Sequence, residues 1–264
     1  MTTSQLGTES AERLFAGWRD WSDGQPEVLA RFTDEELAAV SGPGQKQVAP
    51  MLWLDRQPHD QHEVFVSIAL RGLVARGVVL EIEQQQQSDA WVLTFSAHTQ
   101  ALLAMRHTAS SIVIAERQTA TGKSAVVLYF GDGRGVLEET VDQAGLHTFS
   151  VCSEEPALDG LVALCDPDDV AGDSSGPPQV LLEHAVPATL DHALAVTVMA
   201  GVVGSADGVG EPRQDRAAVY TFADDVKVAH RPSGASGLLV RQVSRAALRE
   251  VVGALSGRGH GHRR

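Results

Sequence analysis

The sequence predicts an α+β protein in which two tandem helix–β-meander–helix units form one pseudo-twofold antiparallel sheet. Two observations indicate this fold class. Apolar and polar residues alternate along the predicted strands, as they do in half-buried antiparallel strands. In addition, residues 97–165 and 187–256 match each other in the order, length and apolar phase of their predicted elements. Two copies of this length are too few and too long for a solenoid, and they pair more naturally around a twofold axis.

Residues 1–95 are predicted to form a separate N-terminal helical segment. Leu14, Phe15, Trp18 and Trp21 recur at the spacing of an amphipathic helix. Thr33 and Glu36 form a capping box that starts a helix over 34–40, and Phe32 with Leu37 can form the hydrophobic staple of that helix. The segment 51–54 predicts a short strand, and no strand is evident nearer the N-terminus.

A helix followed by a hairpin is predicted at the end of this segment, in a winged-helix-like order. Asp60 is expected to cap the helix and Gly77 to end it, before strands over 78–83 and 90–95. The basic residues of the helix are Arg71 and Arg76, against Asp60 and Glu63, which suits neither phosphates nor base edges. A helix packed on a hairpin is therefore the preferred interpretation, and DNA binding is not indicated.

The repeated units have the following predicted boundaries. Unit one covers 96–165, a flexible exposed linker covers 166–186, unit two covers 187–256, and residues 257–264 are a disordered tail. In the first unit a helix over 97–107 precedes strands at 111–118 and 125–130, and a helix ends at Cys165. In the second unit a helix over 187–200 precedes a strand at 217–222. The closing helices align without a gap, with Ala157 on Ala247 and Leu158 on Leu248.

Net charge and composition indicate which partners and which cellular compartment to expect. The 264 residues carry a formal net charge of −13, which repels a nucleic-acid backbone. Cys152 and Cys165 are the only cysteines and lie in no CxxC motif, which favours a reducing compartment. The first ten residues lack a secretion signal, and the apolar stretch over 193–203 is too short to cross a bilayer. A cytoplasmic protein is expected.

Two glycine-rich segments imitate nucleotide-binding motifs. Gly122, Lys123 and Ser124 match the end of a P-loop, but Arg117 stands where the first glycine is required. Gly131, Gly133 and Gly135 lead into a predicted strand rather than a helix, so they do not fit a dinucleotide fingerprint. Both segments are interpreted as hairpin loops, with Gly133 supplying a positive φ.

The remaining candidates for chemistry do not form a set. His59 and His62 have metal-ligand spacing but no third ligand, and His260 and His262 lie in the tail. The carboxylate pairs Asp168–Asp169 and Asp224–Asp225 are predicted turn formers, and no serine lies in a GxSxG motif. No catalytic, cofactor-binding or metal-binding residue is therefore predicted, and partner-binding residues are unknown.

Several segments resemble the EspG chaperones of actinobacterial type VII (ESX) secretion over residues 60–256. The resemblance lies in ALRGLVARGVV (69–79), AVVLYFGDGRGVLEETV, FSVCSEEPALDGLVALC, AAVYTFADDVKVAHR and VRQVSRAALREVVGALSG. It implies a cytosolic chaperone without cofactor or catalysis that masks the helical tip of a secreted PE/PPE-like heterodimer.

The leading functional hypothesis is thus a non-catalytic cytosolic protein-binding protein, in the form of a secretion chaperone. The sequence leaves three alternatives open: a winged-helix transcriptional regulator, a phage-defence or immunity component, and an enzyme whose site gathers distant residues.

Overall fold

A computed structural model describes residues 5–22, 26–42, 45–84, 91–181, 190–204, 212–231 and 237–257. Its helices and antiparallel strands confirm the predicted α+β class. In chain order the elements are α1 (Gln5–Arg19), β1 (Glu27–Thr33), α2 (Asp34–Ser41), α3 (His62–Ala75), β2 (Val79–Gln84), β3 (Trp91–Phe95), α4 (Ala97–His107), β4 (Ser111–Thr119), β5 (Lys123–Phe130), β6 (Gly135–Val141), β7 (Leu146–Ser153), α5 (Glu154–Cys165), β8 (Gln179–Leu181), β9 (Ala195–Val203), β10 (Arg213–Thr221), β11 (Val226–His230), β12 (Leu238–Gln242) and α6 (Arg245–Leu255).

The chain divides into two compact units. Unit 1 comprises residues 1–109 and 131–153, and unit 2 comprises residues 110–130 and 154–264. In unit 1, β7 lies between β1 and β6 with antiparallel pairing on both sides, and β2 pairs with β3 in a separate hairpin. The pairing of β1 with β7 contains a bulge between Val28 and Ala30. No strand was predicted at β1.

The sequence correctly predicts the local signals of unit 1. Thr33 caps α2, and both hydrogen bonds of its capping box with Glu36 are present. Gly77 ends α3 at φ +70°, the left-handed conformation that glycine adopts most readily. The strands β2 and β3 follow as expected, and the loop that joins them, 85–90, lies outside the described residues.

A buried cluster of charged side chains joins the elements of unit 1. His147 on β7 is hydrogen-bonded through Nε2 to Oδ1 of Asp34 and through Nδ1 to Oε1 of Glu139, both at 2.7 Å. Arg106 of α4 lies 3.4 Å from Oε2 of Glu139. The side chains of His147, Asp34 and Glu139 are fully buried. We call these four residues the charged cluster.

Asp34 also organises the loop after α2. Its Oδ2 accepts hydrogen bonds from the backbone amides of Trp53 and Leu54, at 2.6 and 2.8 Å. The segment predicted as a strand at 51–54 is therefore wrong: it turns toward Asp34, and a 3₁₀ turn follows at Leu54–Arg56. Gly145, at φ +75°, lies so close that a Cβ there would be 2.6 Å from Oδ2 of Asp34.

Two glycines of the GDGRG segment are required for a steric reason. Neither Gly133 nor Gly135 has a positive φ, so the predicted conformational role of Gly133 is wrong. A Cβ on Gly133 would overlap the carbonyl of Arg19, and one on Gly135 would overlap the carbonyl of Trp18. These glycines allow the C-terminal end of α1 to approach β6.

In unit 2 seven strands form an antiparallel array in the order β5-β4-β9-β10-β11-β12-β8. The three-residue β8 occupies one end of this array. Arg117 on β4 donates to the last carbonyl of α5, that of Cys165, at 3.0 Å. The Thr221 hydroxyl donates to the same carbonyl at 2.7 Å. The residue that breaks the P-loop motif thus holds the C-terminal end of α5 against the sheet.

Two further predictions are wrong, one at β9 and one at α3. Residues 195–200 belong to β9 rather than to a helix over 187–200, because their buried side chains recur at every second position; residues 187–189 lie outside the described residues. Asp60 does not cap α3, whose N-cap is Gln61 without a side-chain hydrogen bond.

The linker predicted as an exposed loop over 166–186 is mostly exposed in its described part, 166–181, but it is packed at Asp166 and Ala171. The buried Asp166 accepts hydrogen bonds from the amides of Val170 and Ala171 at 2.9 Å each. Arg245 at the start of α6 donates its amide to Ala171, and β8 pairs with β12. Residues 182–186 and the predicted tail after Gly257 lie outside the described residues.

The order of four strands followed by a helix occurs twice along the chain, as β4–β7 with α5 and as β9–β12 with α6. This order agrees in outline with the proposed duplication. The duplication, its pseudo-twofold axis and the winged-helix assignment of the α3 segment stay predictions.

The charged cluster predicts that stability falls at alkaline pH. Burial would lower the pKa of His147, but the hydrogen bonds with Asp34 and Glu139 raise it to about 9, from 6.5. A pKa raised in the folded state gives a contribution that is complete below the unfolded pKa and lost as pH rises through the folded one. Between pH 6.5 and 9 the free energy of unfolding should therefore fall by roughly 3 kcal/mol through this group.

Urea titrations of the wild-type chain at several pH values, with NMR titration of the His147 imidazole, test this. His192→Gln, at an exposed histidine, is the control and should keep the wild-type pH dependence. An imidazole that titrates near pH 6.5 would contradict the prediction.

The steric role of Gly135 predicts a second outcome. Gly135→Ala should lower the free energy of unfolding by about 2 kcal/mol or more, because the new Cβ overlaps the Trp18 carbonyl. Gly131→Ala is the matched control, since nothing lies within 4 Å of a Cβ there. Equal stability of the two variants in thermal or urea unfolding would show that α1 does not lie against β6.

Candidate protein-binding surface

The central strands of unit 2 are covered by helices on one side. In β4, β9 and β10 the buried side chains occupy alternate positions, including Val113, Met199 and Val219. On this side the Ser111 hydroxyl donates to the Ser256 carbonyl after α6, at 2.7 Å. Cys165 at the end of α5 lies with its Sγ 3.8 Å from Sδ of Met199. The covered side is therefore filled by α5 and α6.

The other side of the same three strands is apolar as well. Its side chains alternate with the buried ones and are half-buried or exposed, and Val198 near the centre is 53% exposed. We call this surface the open sheet face. It consists of Ile112, Ile114, Val196, Val198, Ala200, Val202, Ala218 and Tyr220.

Strand register makes these residues one contiguous surface. Val198 pairs with Ala218 on β10 and with Glu116 on β4. Val196 pairs with Tyr220, and Ala200 pairs with Ile114. Directly paired side chains on one face of an antiparallel sheet lie in contact range, so each row contains an apolar pair on two neighbouring strands. The third strand contributes a polar side chain to every row: Gln118, Glu116, Arg216 or Gln214.

The open sheet face has polar residues at the ends of its outer strands and buried apolar residues at its sides. Glu116 and Gln118 at one end of β4, and Gln214 and Arg216 at one end of β10, are exposed. Beside the face, Val127 and Tyr129 on β5 and Ala229 on β11 are buried, and Tyr220 packs against the buried cluster of Leu190, Ala229 and Val240. The exposed apolar part is therefore centred on Val198 of β9, and an exposed apolar patch of this kind is a candidate site for binding another protein.

The residues of the motifs considered in the sequence do not come together in one site. Thr119 donates its amide to Gly122, which closes the β4–β5 hairpin around Gly122, Lys123 and Ser124 as predicted. His59 and His62 stack edge to face with ring centroids 5.0 Å apart. Within the described ranges no group of three or more His, Cys, Asp or Glu residues is placed to hold a metal ion. His260 and His262 lie outside those ranges.

The aspartate pairs are not arranged for acid–base chemistry. Asp168 and Asp169 are exposed, and Asp169 forms an ion pair with Arg245. Asp224 is exposed in the turn before β11, and Asp225 lies 3.7 Å from Lys227. These residues serve turns and surface ion pairs, as the sequence predicts.

Both thiols are buried, and burial works against the thiolate form. Burial raises the pKa of Cys152 to about 12 and that of Cys165 to about 12. A nucleophilic cysteine requires the opposite shift, toward the thiolate. The charged cluster contains histidine and carboxylate side chains, as many catalytic sites do. However, His147 is fully buried and both its ring nitrogens are hydrogen-bonded, so no substrate reaches it.

The helix before the β2–β3 hairpin does not present a basic surface. Arg76 is paired with Glu36 at 2.8 Å. The exposed side of α3 includes Val64 and Ile68, at 57% and 62% exposure. An apolar helix surface does not contact phosphates, which argues against a winged-helix DNA reader.

Comparison with known proteins gives a structural likeness only. No family model matches the chain, and no curated protein matches its sequence. Among solved structures it is similar to EspG5, a type VII secretion system chaperone of Mycobacterium tuberculosis, determined in complex with a PE25–PPE41 dimer. The two chains share 11% identity with a TM-score of 0.51, and the match covers 88% of this chain and 95% of EspG5. At this identity the likeness shows a shared fold.

Among the described residues, no helix combines the length and the apolarity needed to cross a membrane.

The two sides of the strands predict opposite effects of substitution on stability. Val198→Lys should change the free energy of unfolding by no more than about 0.5 kcal/mol, because the side chain is exposed and its neighbour Glu116 is acidic. Val113→Ala, on the covered side, should cost about 2 kcal/mol through lost packing. Urea unfolding of both variants checks this, and a large loss in Val198→Lys would show that the open sheet face is part of the core.

Proposed function

We propose that this chain is a non-catalytic, cytoplasmic chaperone that binds a helical, PE/PPE-like secretion substrate through the open sheet face. The observation that carries the proposal is the contiguous aliphatic surface on β4, β9 and β10, opposite the side filled by α5 and α6. Covering such a surface releases water from apolar side chains, which is the main driving force for association.

The spacing of the open sheet face suits a helix laid across the strands. Neighbouring strands lie about 4.8 Å apart, and a helix repeats every 5.4 Å along its axis. Apolar side chains one turn apart on a helix can therefore contact successive strands. In the row of Val198 and Ala218, small aliphatic side chains leave room for larger ones from the partner.

The fold likeness to EspG5 supports a partner of this kind. That chaperone was solved with a PE25–PPE41 dimer, and the residue-level resemblance to EspG chaperones extends over residues 60–256. The buried thiols and the inaccessible His147 support a role without catalysis. Recognition by surface shape requires no cofactor.

The proposal predicts a specific loss of binding. Val198→Lys should weaken binding of a PE–PPE heterodimer by about tenfold or more, because it places a charge in the centre of the apolar contact. Val180→Lys is the matched control: this valine on β8 is 70% exposed and lies outside the open sheet face, so binding should be unchanged.

Purified wild-type and variant chains would be titrated against a panel of PE–PPE heterodimers that includes PE25–PPE41, by calorimetry. If no heterodimer binds the wild-type chain, the chaperone role is wrong. If Val180→Lys weakens binding as much as Val198→Lys, another surface makes the contact.

A further inference from the structure

Unit 2 also contains a cleft that is lined mainly by positively charged side chains, although the whole chain is negatively charged. A cleft of about 590 Å³ lies where the start of β10, the end of β11 and the last turn of α6 meet. Its lining includes Arg213, Arg216, Arg231 and Arg241, and Asp215 is the one carboxylate among the described lining residues. We call it the arginine cleft. Four arginines in one cleft of a chain with a net charge of −13 are a local concentration of positive charge.

The floor of the arginine cleft is aliphatic. Ala217 and Val228 contribute from the strands, and Val251, Ala254 and Leu255 contribute from α6. Ala217 and Val228 are buried, whereas Ala254 is exposed. A ligand that fills this cleft therefore places apolar groups on the floor while anionic groups meet the rim.

Two of these arginine side chains, those of Arg213 and Arg216, retain the capacity to bind carboxylates. Arg213 is paired with Asp215 at 2.6 Å, but that pair is well exposed and exchanges readily with a competing carboxylate. Arg216 donates to the neutral amide oxygen of Gln214. Guanidinium groups bind carboxylates with two parallel hydrogen bonds, which gives both affinity and orientation.

We propose that the arginine cleft binds an acidic peptide segment of a protein partner, with one aliphatic side chain of the peptide on the cleft floor. Charge complementarity selects the acidic partner. A peptide is favoured over a nucleic acid because the described lining has no phenylalanine, tyrosine or tryptophan on which a base stacks. It is favoured over a small anion because an inorganic ion makes no use of an aliphatic floor.

The arginine cleft and the open sheet face meet at Gln214 and Arg216 but have different floors. Ala217 and Val228 of the cleft floor lie on the helix-covered side of the sheet, whereas Ala218 and Tyr220 lie on the open side. Arg241 and Ala254 line the cleft and lie outside the open sheet face, so substitutions there test the cleft separately.

The test measures fluorescence anisotropy of a short labelled peptide built from glutamate, serine and two leucines, titrated with the full-length chain at low salt. Arg241→Gln should weaken binding about fivefold or more by removing a carboxylate partner, and Ala254→Glu should do so by placing a like charge in the cleft. Arg71→Gln, at an exposed arginine of α3, is the matched control and should bind as the wild type does. Circular dichroism of each variant verifies that the fold is kept.

Binding by the wild type, with loss in both cleft variants and none in Arg71→Gln, supports the proposal. Absence of binding, or equal weakening by Arg71→Gln, overturns it. Equal affinity for a peptide with serine in place of leucine, or displacement by inorganic phosphate at matched ionic strength, identifies a general anion site and also overturns it. Tighter binding of a single-stranded oligonucleotide than of the peptide would overturn it in favour of nucleic acid.

Discussion

The hydrogen bonds of His147 to Asp34 and Glu139 fix the arrangement of unit 1. Through them β7 is joined to the start of α2 and to β6, and Arg106 extends the contact to α4. With the imidazole protonated, the charged cluster contains two positive and two negative groups. Removal of any one of the four leaves a buried charge without its partner, which costs several kcal/mol. Phe149 lies against this cluster, stacked on the His147 ring and under the Arg106 guanidinium.

Unit 2 depends on a different arrangement, in which one sheet has two apolar sides. Ordinary burial by α5 and α6 accounts for one side, and Arg117 with Thr221 ties the end of α5 to the strands. The other side is apolar, and no helix in the described part of this unit covers it. A folded chain keeps such a surface at a cost in solubility, and the proposed role in binding a protein accounts for that composition.

The sequence predicts those features that depend on neighbours along the chain. The capping box of Thr33 and Glu36, the end of α3 at Gly77 and the β4–β5 hairpin each involve a few consecutive residues, and each is present. The charged cluster joins His147 to Asp34 across 113 positions, and no periodicity or motif records that contact. For the same reason β1 was missed, since its pairing partner β7 lies far along the chain.

The open sheet face could not be predicted from the sequence because of the composition of its central strand, β9. In β9 every residue except Thr197 is apolar or glycine, so the alternation that separates a covered side from an open one is absent from the sequence. That uniformity also produced the incorrect helix over 187–200. The glycines Gly133 and Gly135 show a related limit: their number suggested turn chemistry, whereas their function is to make room for the distant carbonyls of Arg19 and Trp18.

The ends of the strand arrays have a consequence for self-association. Unpaired strand edges recruit further copies of a chain by backbone hydrogen bonding. A protein that also displays an apolar sheet surface is at particular risk of polymerising in this way. Here β8 offers three residues for such pairing, and β1 is interrupted by its bulge at Val28 and Ala30. Both strands are poor templates for an added strand. At β1 and at β8 the chain therefore resists growth by strand addition, although its open sheet face is apolar.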